Sequence, residues 1–478
     1  MRNRKGFSLV EVLLVIDILV IISLIAIPII QTSLEGVKRK AFENDTKTVL
    51  RAAEISLRKQ NVNSLTCYSL HKVDISFKDK FLTAQICKDE NDNININNLC
   101  TNSYCFNGNV ETSTITQYNL SSIPEMIKME HSTGFYKDDV YRNNIVTATI
   151  VDHTNVPSDS VITWDVSKNQ NNSVKAWLTN AESGKYHLFI GGNGGVKPNT
   201  DMRQFLSNLK SLREVNLEHL HTSHVTQMGG AFSDLDSLTE LDLSNFDTRN
   251  VWSFRYMFNW SKSLQHLDLS SFNTSKATEM QYFFRGCHSL VSIDLSSFNT
   301  SKTTNMAFMF AECNSLLELD LSSFDTRNVE YMESLFFKCL ELRSLDLSSF
   351  NTSKVKNMDS MFAFCRKMTT LDLSHFNTSK VTNMGAMFQD LYKITSLDVS
   401  SFDTSQVTNM AFMFSYYQSL PYLDLRSFDT SKVNNFRYMF HSQSANKIDV
   451  TTGKWVISAG ANVDEMFRWC NAGDVTYN

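Results

Sequence analysis

Apolar residues run almost unbroken from Phe7 to Ile30, and only Glu11 and Asp17 interrupt them with charge. As a helix these 24 residues reach about 36 Å, enough to cross roughly 30 Å of hydrocarbon. Beyond Pro28, which removes a backbone donor and bends a helix, a looser stripe continues through Leu34, Val37, Ala41, Val49, Ala52 and Leu57. That spacing predicts an amphipathic second half, so one long helix is expected over residues 7–60. The pattern then turns irregular and Asn-rich (NDNININN), with short β-prone pieces such as VDISF and KFLTAQI. Residues 61–125 are expected to form a small head, and residues 126–199 a cap in front of the C-terminal region.

From residue 200 the hydrophobic pattern repeats. The Asp of an LDL-type tripeptide recurs at Asp242, Asp268, Asp294, Asp320, Asp346, Asp372, Asp398 and Asp424, a constant step of 26 residues. A Phe follows each four residues later, from Phe246 to Phe428, a Thr recurs from Thr248 to Thr430, and a second Phe column runs from Phe258 to Phe440. In SLLELDLSSF the alternation of Leu316, Leu319 and Leu321 predicts a short strand with Asp320 facing out. In TTNMAFMF, Met306, Met309 and Phe310 stand at i, i+3 and i+4 and predict one face of a short helix. One strand and one helical turn cannot bury a core alone, but stacked copies can. The expected fold class is therefore α+β with a repeat. It combines a long N-terminal helix and small head with a solenoid over 200–478, of about ten 26-residue strand/short-helix units and a C-terminal cap. Strands about 4.8 Å apart make such a stack near 45 Å long.

Charge adds one constraint. The chain has 45 Lys+Arg against 50 Asp+Glu, and the first 60 residues hold ten of the basic and only six of the acidic groups. The remainder is acidic and repels phosphate backbones, so no nucleic-acid partner is expected. Like charges one strand apart in the Asp column need Ser/Thr or backbone donors, or a bound cation such as calcium. His219, His221 and His224 cluster in a divergent first copy and read as an exposed turn rather than a metal site. Cys287, Cys313, Cys339 and Cys365 share one column with Ser261, Leu391 and Tyr417, which reads as packing by buried free thiols. No HExxH, GxSxG, Walker or EF-hand pattern is present, so neither an enzyme nor a cofactor or metal site is expected.

The start, KGFSLVEVLLV, resembles the type IV prepilin leader. A secretory signal peptide would instead end in a small-residue site behind the apolar core. The resemblance implies cleavage between Gly6 and Phe7 by a prepilin peptidase, so that residues 1–6 are the leader. It also implies N-methylation of Phe7, residence of the helix in the cytoplasmic membrane, and assembly with other pilins. Glu11 then has a partner. A carboxylate in hydrocarbon costs about 2.5–3.5 kcal/mol, and in pilins it neutralises the terminal amine of a neighbouring subunit. Pro28 sits where many pilins carry a bending proline. Asp17 departs from the pattern, since it lies about 240° around the helix from Glu11 and cannot face the same neighbour. In an exported chain, Cys67, Cys87, Cys100 and Cys105 read as disulfide partners that pin the head. Spacing leaves the pairing open, with Cys67–Cys87 and Cys100–Cys105 favoured.

The repeat, LDLSSFNTSKVTNM followed by MF, C and SL, resembles the BspA-like leucine-rich-repeat surface-protein family. VITWDVSKNQNNSVKAWLTNAESGKYHLFIGGNGGVKPN is similar to the capping module that precedes such repeats, with GGNGG as a tight turn. The resemblance implies extracellular display and adhesion to a host or bacterial surface protein or glycan, and it brings no catalytic residues. Variable slots between the core columns hold Trp252, Tyr256, Trp260, Tyr416, Tyr417 and Tyr438, residue types that anchor interfaces. The combined expectation is a pilin-like subunit, minor or at the tip, that carries an adhesin on a type IV filament. The alternatives are a secretion pseudopilin that holds an exported substrate, and a membrane-anchored receptor that never polymerises. Substitution of Gly6 should leave the leader attached, while the wild type matures to methylated Phe7. Intact-mass measurement checks this, and a mature terminus after Pro28 would refute the prepilin reading.

Overall fold

The computed structural model describes residues 123–128, 139–442, 447–450 and 454–470, together with strand backbone between residues 67 and 117 and at 475–476. The expected helix over 7–60, with Gly6, Phe7, Glu11 and Pro28, lies outside the described residues. The chain divides into two compact units, Met1–Ile123 and Pro124–Asn478. Among the described residues the fold is built from strands in small sheets and turns, with one four-residue helix, Asp139–Arg142.

The first unit holds an antiparallel meander of β1 (Cys67–Ser69), β2 (Thr83–Lys88), β3 (Ile94–Cys100), β4 (Tyr104–Gly108) and β5 (Thr114–Gln117), paired in chain order. Its register sets Cys67 opposite Cys87 and Cys100 opposite Cys105.

The second unit opens with a mixed sheet of β6 (Ile145–Val151), β7 (Ile162–Asp165), β8 (Val174–Asn180), β9 (Tyr186–Gly192) and β10 (Glu214–Asn216), in the order β10-β6-β9-β8-β7. Strand β10 comes from the divergent first copy and pairs in parallel with β6. The repeat thus begins on a covered edge rather than an open one. GGNGG closes the turn after β9, with the Gly195 N–H donating to the Gly192 carbonyl at 2.9 Å. Gly195 has a φ of 102°, and a Cβ there would fall 2.5 Å from the His221 ring. Only glycine fits.

Each later copy is a flattened loop, and a column of parallel bridges joins them from Asp201 through Asn305 to Asn462. Conventional strands are sparse, and the one expected at Leu316, Leu319 and Leu321 is not among them: β11 (Glu240–Leu241) pairs with β12 (His266–Leu267), and β13 (Tyr422–Asp424), β14 (Lys447–Asp449) and β15 (Val475–Thr476) form a parallel trio. The short helix expected at Met306, Met309 and Phe310 does not form. Those residues are buried, but the segment is a run of linked turns. Alternate N–H groups reach the next copy, from Met306 to the Tyr331 carbonyl, Phe308 to Glu333 and Phe310 to Leu335, at 2.9–3.0 Å. The N–H groups of Met309, Ala311 and Cys313 close turns onto Met306, Phe308 and Phe310. The residues Phe308 and Glu312 take φ of 57° and 62°, the mark of type II turns. Linked turns and a helix share the i, i+3, i+4 spacing, so periodicity alone did not separate them.

Two devices hold the copies in step. Phe284, Phe310, Phe336 and Phe362 stack with ring centroids 5.6–5.9 Å apart through the core. The buried Thr column bridges copies where the backbone pairing lapses. The Thr326 hydroxyl accepts from the Asn351 N–H at 2.7 Å and donates to the Asn351 carbonyl at 3.0 Å, and Thr300 does the same for Asp325. Corners are closed by side chains: the Asp320, Asn299 and Asn305 carboxyl or amide oxygens each accept the backbone N–H two residues on, as Asx turns do.

Thr326→Val keeps the shape but strips both Asn351 backbone groups of a partner, and should cost about 1–3 kcal/mol. Phe362→Ala should cost about 3–5 kcal/mol. In a stack of nearest neighbours both losses stay local, so hydrogen exchange should quicken in adjacent copies and not in the β6–β10 sheet. Uniform quickening would contradict this account.

Candidate functional site

Left-handed residues recur twice in every copy, four positions apart. One column carries Tyr256, Tyr282, Phe308, Phe412 and Tyr438 at φ of 56–63°. The other carries Trp260, Phe364, Tyr416 and, after a one-residue shift in the last copy, Trp469 at 56–64°. Bulky residues seldom accept this conformation, which costs about 1–2 kcal/mol each. In the copies before the last, each such N–H donates to the next copy, Tyr256 to Gln281 and Tyr282 to Ala307 among them, and in the first column neighbouring rings stack.

Apart from Phe364, which meets Phe337 and Arg366, the rings gather in two patches. In the first, Tyr256 stacks on Tyr282 at 4.5 Å and Tyr282 on Phe308 at 4.7 Å. The Arg255 guanidinium lies 4.7 Å over Tyr256. Arg285 links the two columns, 5.3–5.6 Å from the Trp260, Tyr282 and Phe308 rings. Such cation–π contacts hold a guanidinium flat against a ring. In the second patch Phe412 stacks on Tyr438 at 4.9 Å, and His441 touches Tyr416, Tyr438 and Trp469 at 4.9–5.2 Å. Arg437 and Arg468 cover Tyr438 and Trp469. Between the patches the first column shrinks to Ser334, Ser360 and Ala386, flanked by Glu333 and Asp359, whose carboxyls burial pushes above their ordinary range.

The structure sorts the six residues singled out in the sequence. Tyr256 connects to Trp260 through Tyr282 and Arg285, and Tyr416 meets Tyr438 through His441. Trp252 is 39% exposed, at the rim of a cleft beside Tyr256. Tyr417 is a correction. It is 0% exposed in the thiol column, because a position that faces the core in one copy does so in all. Sequence reasoning missed Phe412, His441, Trp469 and the four arginines. Aligning copies on the 26-residue step would have placed Phe412 under Tyr438, but the stacked arginines carry no sequence signal.

The other candidates resolve into packing. The Cys287 and Cys365 thiols donate to the Phe258 and Phe336 carbonyls at 3.2 and 3.1 Å, and burial pushes both up to about 12. Cys67, Cys87, Cys100 and Cys105 are described only by their backbone register. The turns expected at His219 and His224 are present, but the three histidines are partly buried rather than exposed. The His224 Nε2 meets the Pro198 carbonyl at 2.7 Å and the His221 Nε2 the Gly194 carbonyl at 3.3 Å, joining the cap to the first copy.

Comparison with known families bears on both ends of the chain. Residues 1–27 match the prokaryotic N-terminal methylation motif, so the start is that of a type IV pilin-like or pseudopilin-like precursor, processed by prepilin peptidase and anchored in a membrane before assembly. The family described as "Mycoplasma protein of unknown function, DUF285" matches three overlapping stretches, 200–318, 286–395 and 363–476. The chain belongs to this family. The match covers the whole solenoid, including the turn face. No curated protein and no solved structure matches the chain. No helix among the described residues is long and apolar enough to cross a membrane.

The histidine joint sets a pH dependence. Burial lowers His221 from its usual 6.5 to about 4, against the opposing Gly194 carbonyl, and lowers His224 as well. Below pH 6.5 the unfolded chain therefore takes up protons that the folded His221 refuses. Stability from this joint should be full above pH 6.5, fall progressively towards pH 4, and fall no further below it. Urea midpoints of the detergent-solubilised chain at pH 7 and 4.5 check this, and His221→Gln should flatten the fall. An equal fall in the variant would discard the histidine as its source.

Proposed function

We propose that the chain is a type IV pilin-like subunit, minor or at the tip of its filament, that displays a BspA-like leucine-rich-repeat adhesin. Its partner is a host or bacterial surface protein or glycan, and we read it as a binding protein rather than an enzyme. The observation that carries the reading is the gathering of Tyr, Trp and Arg in two patches of the solenoid. Those residue types supply most of the energy in protein interfaces. Bulk supports a minor or tip place, since the unit from Pro124 to Asn478 would crowd a shaft packed from slender helices.

In the head we read Cys67–Cys87 and Cys100–Cys105 as disulfides. Opposed residues of antiparallel pairs lie about 4.5–5.5 Å apart at Cα, inside the range of about 4.4–6.8 Å that a disulfide spans. The methylation motif fits a secretion pseudopilin equally well, so that reading stands as the second, with the turn face holding an exported substrate.

Immunogold on sheared filaments tests the assignment. Tip label is expected; label along the shaft would refute a minor subunit, and label on cells alone would favour a receptor that does not polymerise. Glu11→Ala should be cleaved and inserted but enter filaments poorly. Tyr256→Ala with Tyr282→Ala should weaken cell attachment by about 30-fold, the equivalent of about 2 kcal/mol. Unchanged attachment, with retention of a co-exported protein in pull-downs, would favour the pseudopilin.

A further inference from the structure

The first aromatic column has a missing rung. Tyr256, Tyr282 and Phe308 stack in successive copies, but in the copy before them the same position is Gly230, at a similar φ of 65°. Gly286 makes an equivalent gap in the second column, and there the Trp260 indole fills it. A Cβ on Gly286 would come within 2.7 Å of that ring. The gap at Gly230 is open. A Cβ there would meet the Ser233 Oγ at 3.6 Å, the Gln204 Cγ at 3.8 Å and the Tyr256 Cβ at 4.0 Å, all ordinary contacts. Gln204 occupies the column one copy further back, so Gln204 and Tyr256 stand two strand spacings apart, about 9–10 Å. One ring fits between them.

The gap is the floor of a cleft of about 570 Å³. Tyr256, with Arg255 over its ring, lines the cleft, and Trp252 gives it an exposed rim. Arg255, Asn259, Asp234 and Glu279 stand around these rings, and the buried Asn259 Oδ1 has no hydrogen-bond partner among the described residues. Arg255 is exposed, lies over the Tyr256 ring and donates to its hydroxyl at 3.1 Å.

We infer that this cleft binds a neutral pyranose unit, a hydroxylated sugar ring stacked on Tyr256 in the rung that Gly230 leaves open. The inference rests on the reading of the turn face as the partner-binding surface. A sugar ring presents C–H groups to the negative face of an aromatic, and each hydroxyl both donates and accepts. Arg255 and Asn259 donate, and Asp234 and Glu279 accept. An anion would face the Asp234 and Glu279 carboxylates and a cation would face Arg203 and Arg255, so the balanced lining favours a neutral ligand. A purely apolar ring would strip water from these groups and return no hydrogen bonds. The sugar takes the ring face that Arg255 now covers, and the guanidinium turns to the hydroxyls at the rim.

Gly230→Tyr is the decisive variant. The same left-handed position carries Tyr at 256 and 282, so the backbone accepts it, and the added ring extends the ladder into the cleft. Saturation-transfer NMR on the detergent-solubilised full chain would use methyl pyranosides of glucose, galactose, mannose and N-acetylglucosamine. Wild type should pass saturation to the ring C–H protons of at least one. Gly230→Tyr should abolish it, Tyr256→Ala should weaken binding at least tenfold, and Tyr438→Ala in the other patch should leave it unchanged. If Gly230→Tyr loses the wild-type circular dichroism, Tyr256→Ala against Tyr438→Ala decides alone. Absence of transfer from every pyranoside, wild-type binding by a folded Gly230→Tyr, or binding of N-acetyltyrosinamide in their place overturns the inference. Cell attachment of the same variants separates the two readings. Attachment that needs Tyr282 while no pyranoside binds removes only the sugar site. Pyranoside binding with attachment indifferent to both patches removes the adhesin.

Discussion

The solenoid depends on one recurring interaction, the hydrogen bond from a turn residue to the carbonyl of the next copy. A parallel sheet satisfies its backbone through strands, but here few residues per copy are strand. Alternate N–H groups of the turn run bond forward and the others close turns within the copy. The backbone of a segment that is neither helix nor strand is thereby paired, as burial requires. Where this pattern lapses, at the corner after the Asp column, the Thr hydroxyl supplies both a donor and an acceptor. Phe stacking follows from the same step, because copies held a strand spacing apart bring like side chains into ring contact.

That hydrogen-bond pattern also explains where function can sit. It requires two left-handed residues per copy, and these conformations turn side chains out of the core while their neighbours, such as Met257 and Phe258, stay buried. The outward positions tolerate Tyr, Phe, Ser, Ala, Glu, Lys or Gly, since none contributes to the shared core. A face built this way varies freely without disturbing the stack. Its aromatic patches are then held rigid by the ladder beneath them, so little side-chain freedom remains to be lost on binding. Gly230 and Gly286 show the other use of the same freedom, a gap left open in one column and a gap filled by an indole in the other.

Much of this was legible in the sequence. The step of 26 residues, the inward Leu and Phe columns and the outward Asp column stand in the structure where periodicity put them, and the methylation motif was readable from Gly6, Phe7 and Glu11. The helix expected at Met306, Met309 and Phe310 was not found, because hydrophobic spacing reports which residues point inward and not which hydrogen bonds hold them there. Tyr417 was misread as a surface anchor because its residue type was weighed above its column, which it shares with Cys287 and Cys313 and which is wholly buried.

The sequence by itself determined the existence and register of the stack, since a hydrophobic pattern repeated without drift admits one way of burying every copy. It also named several of the aromatic residues that matter. Only the tertiary structure decided that these aromatics gather in two patches and that arginines lie flat on them. The same holds for the ladder that stops at Gly230 above an open cleft. Those facts depend on backbone φ and on contacts between residues 26 apart, and such contacts exist only once neighbouring copies have been brought to a strand spacing by their hydrogen bonds.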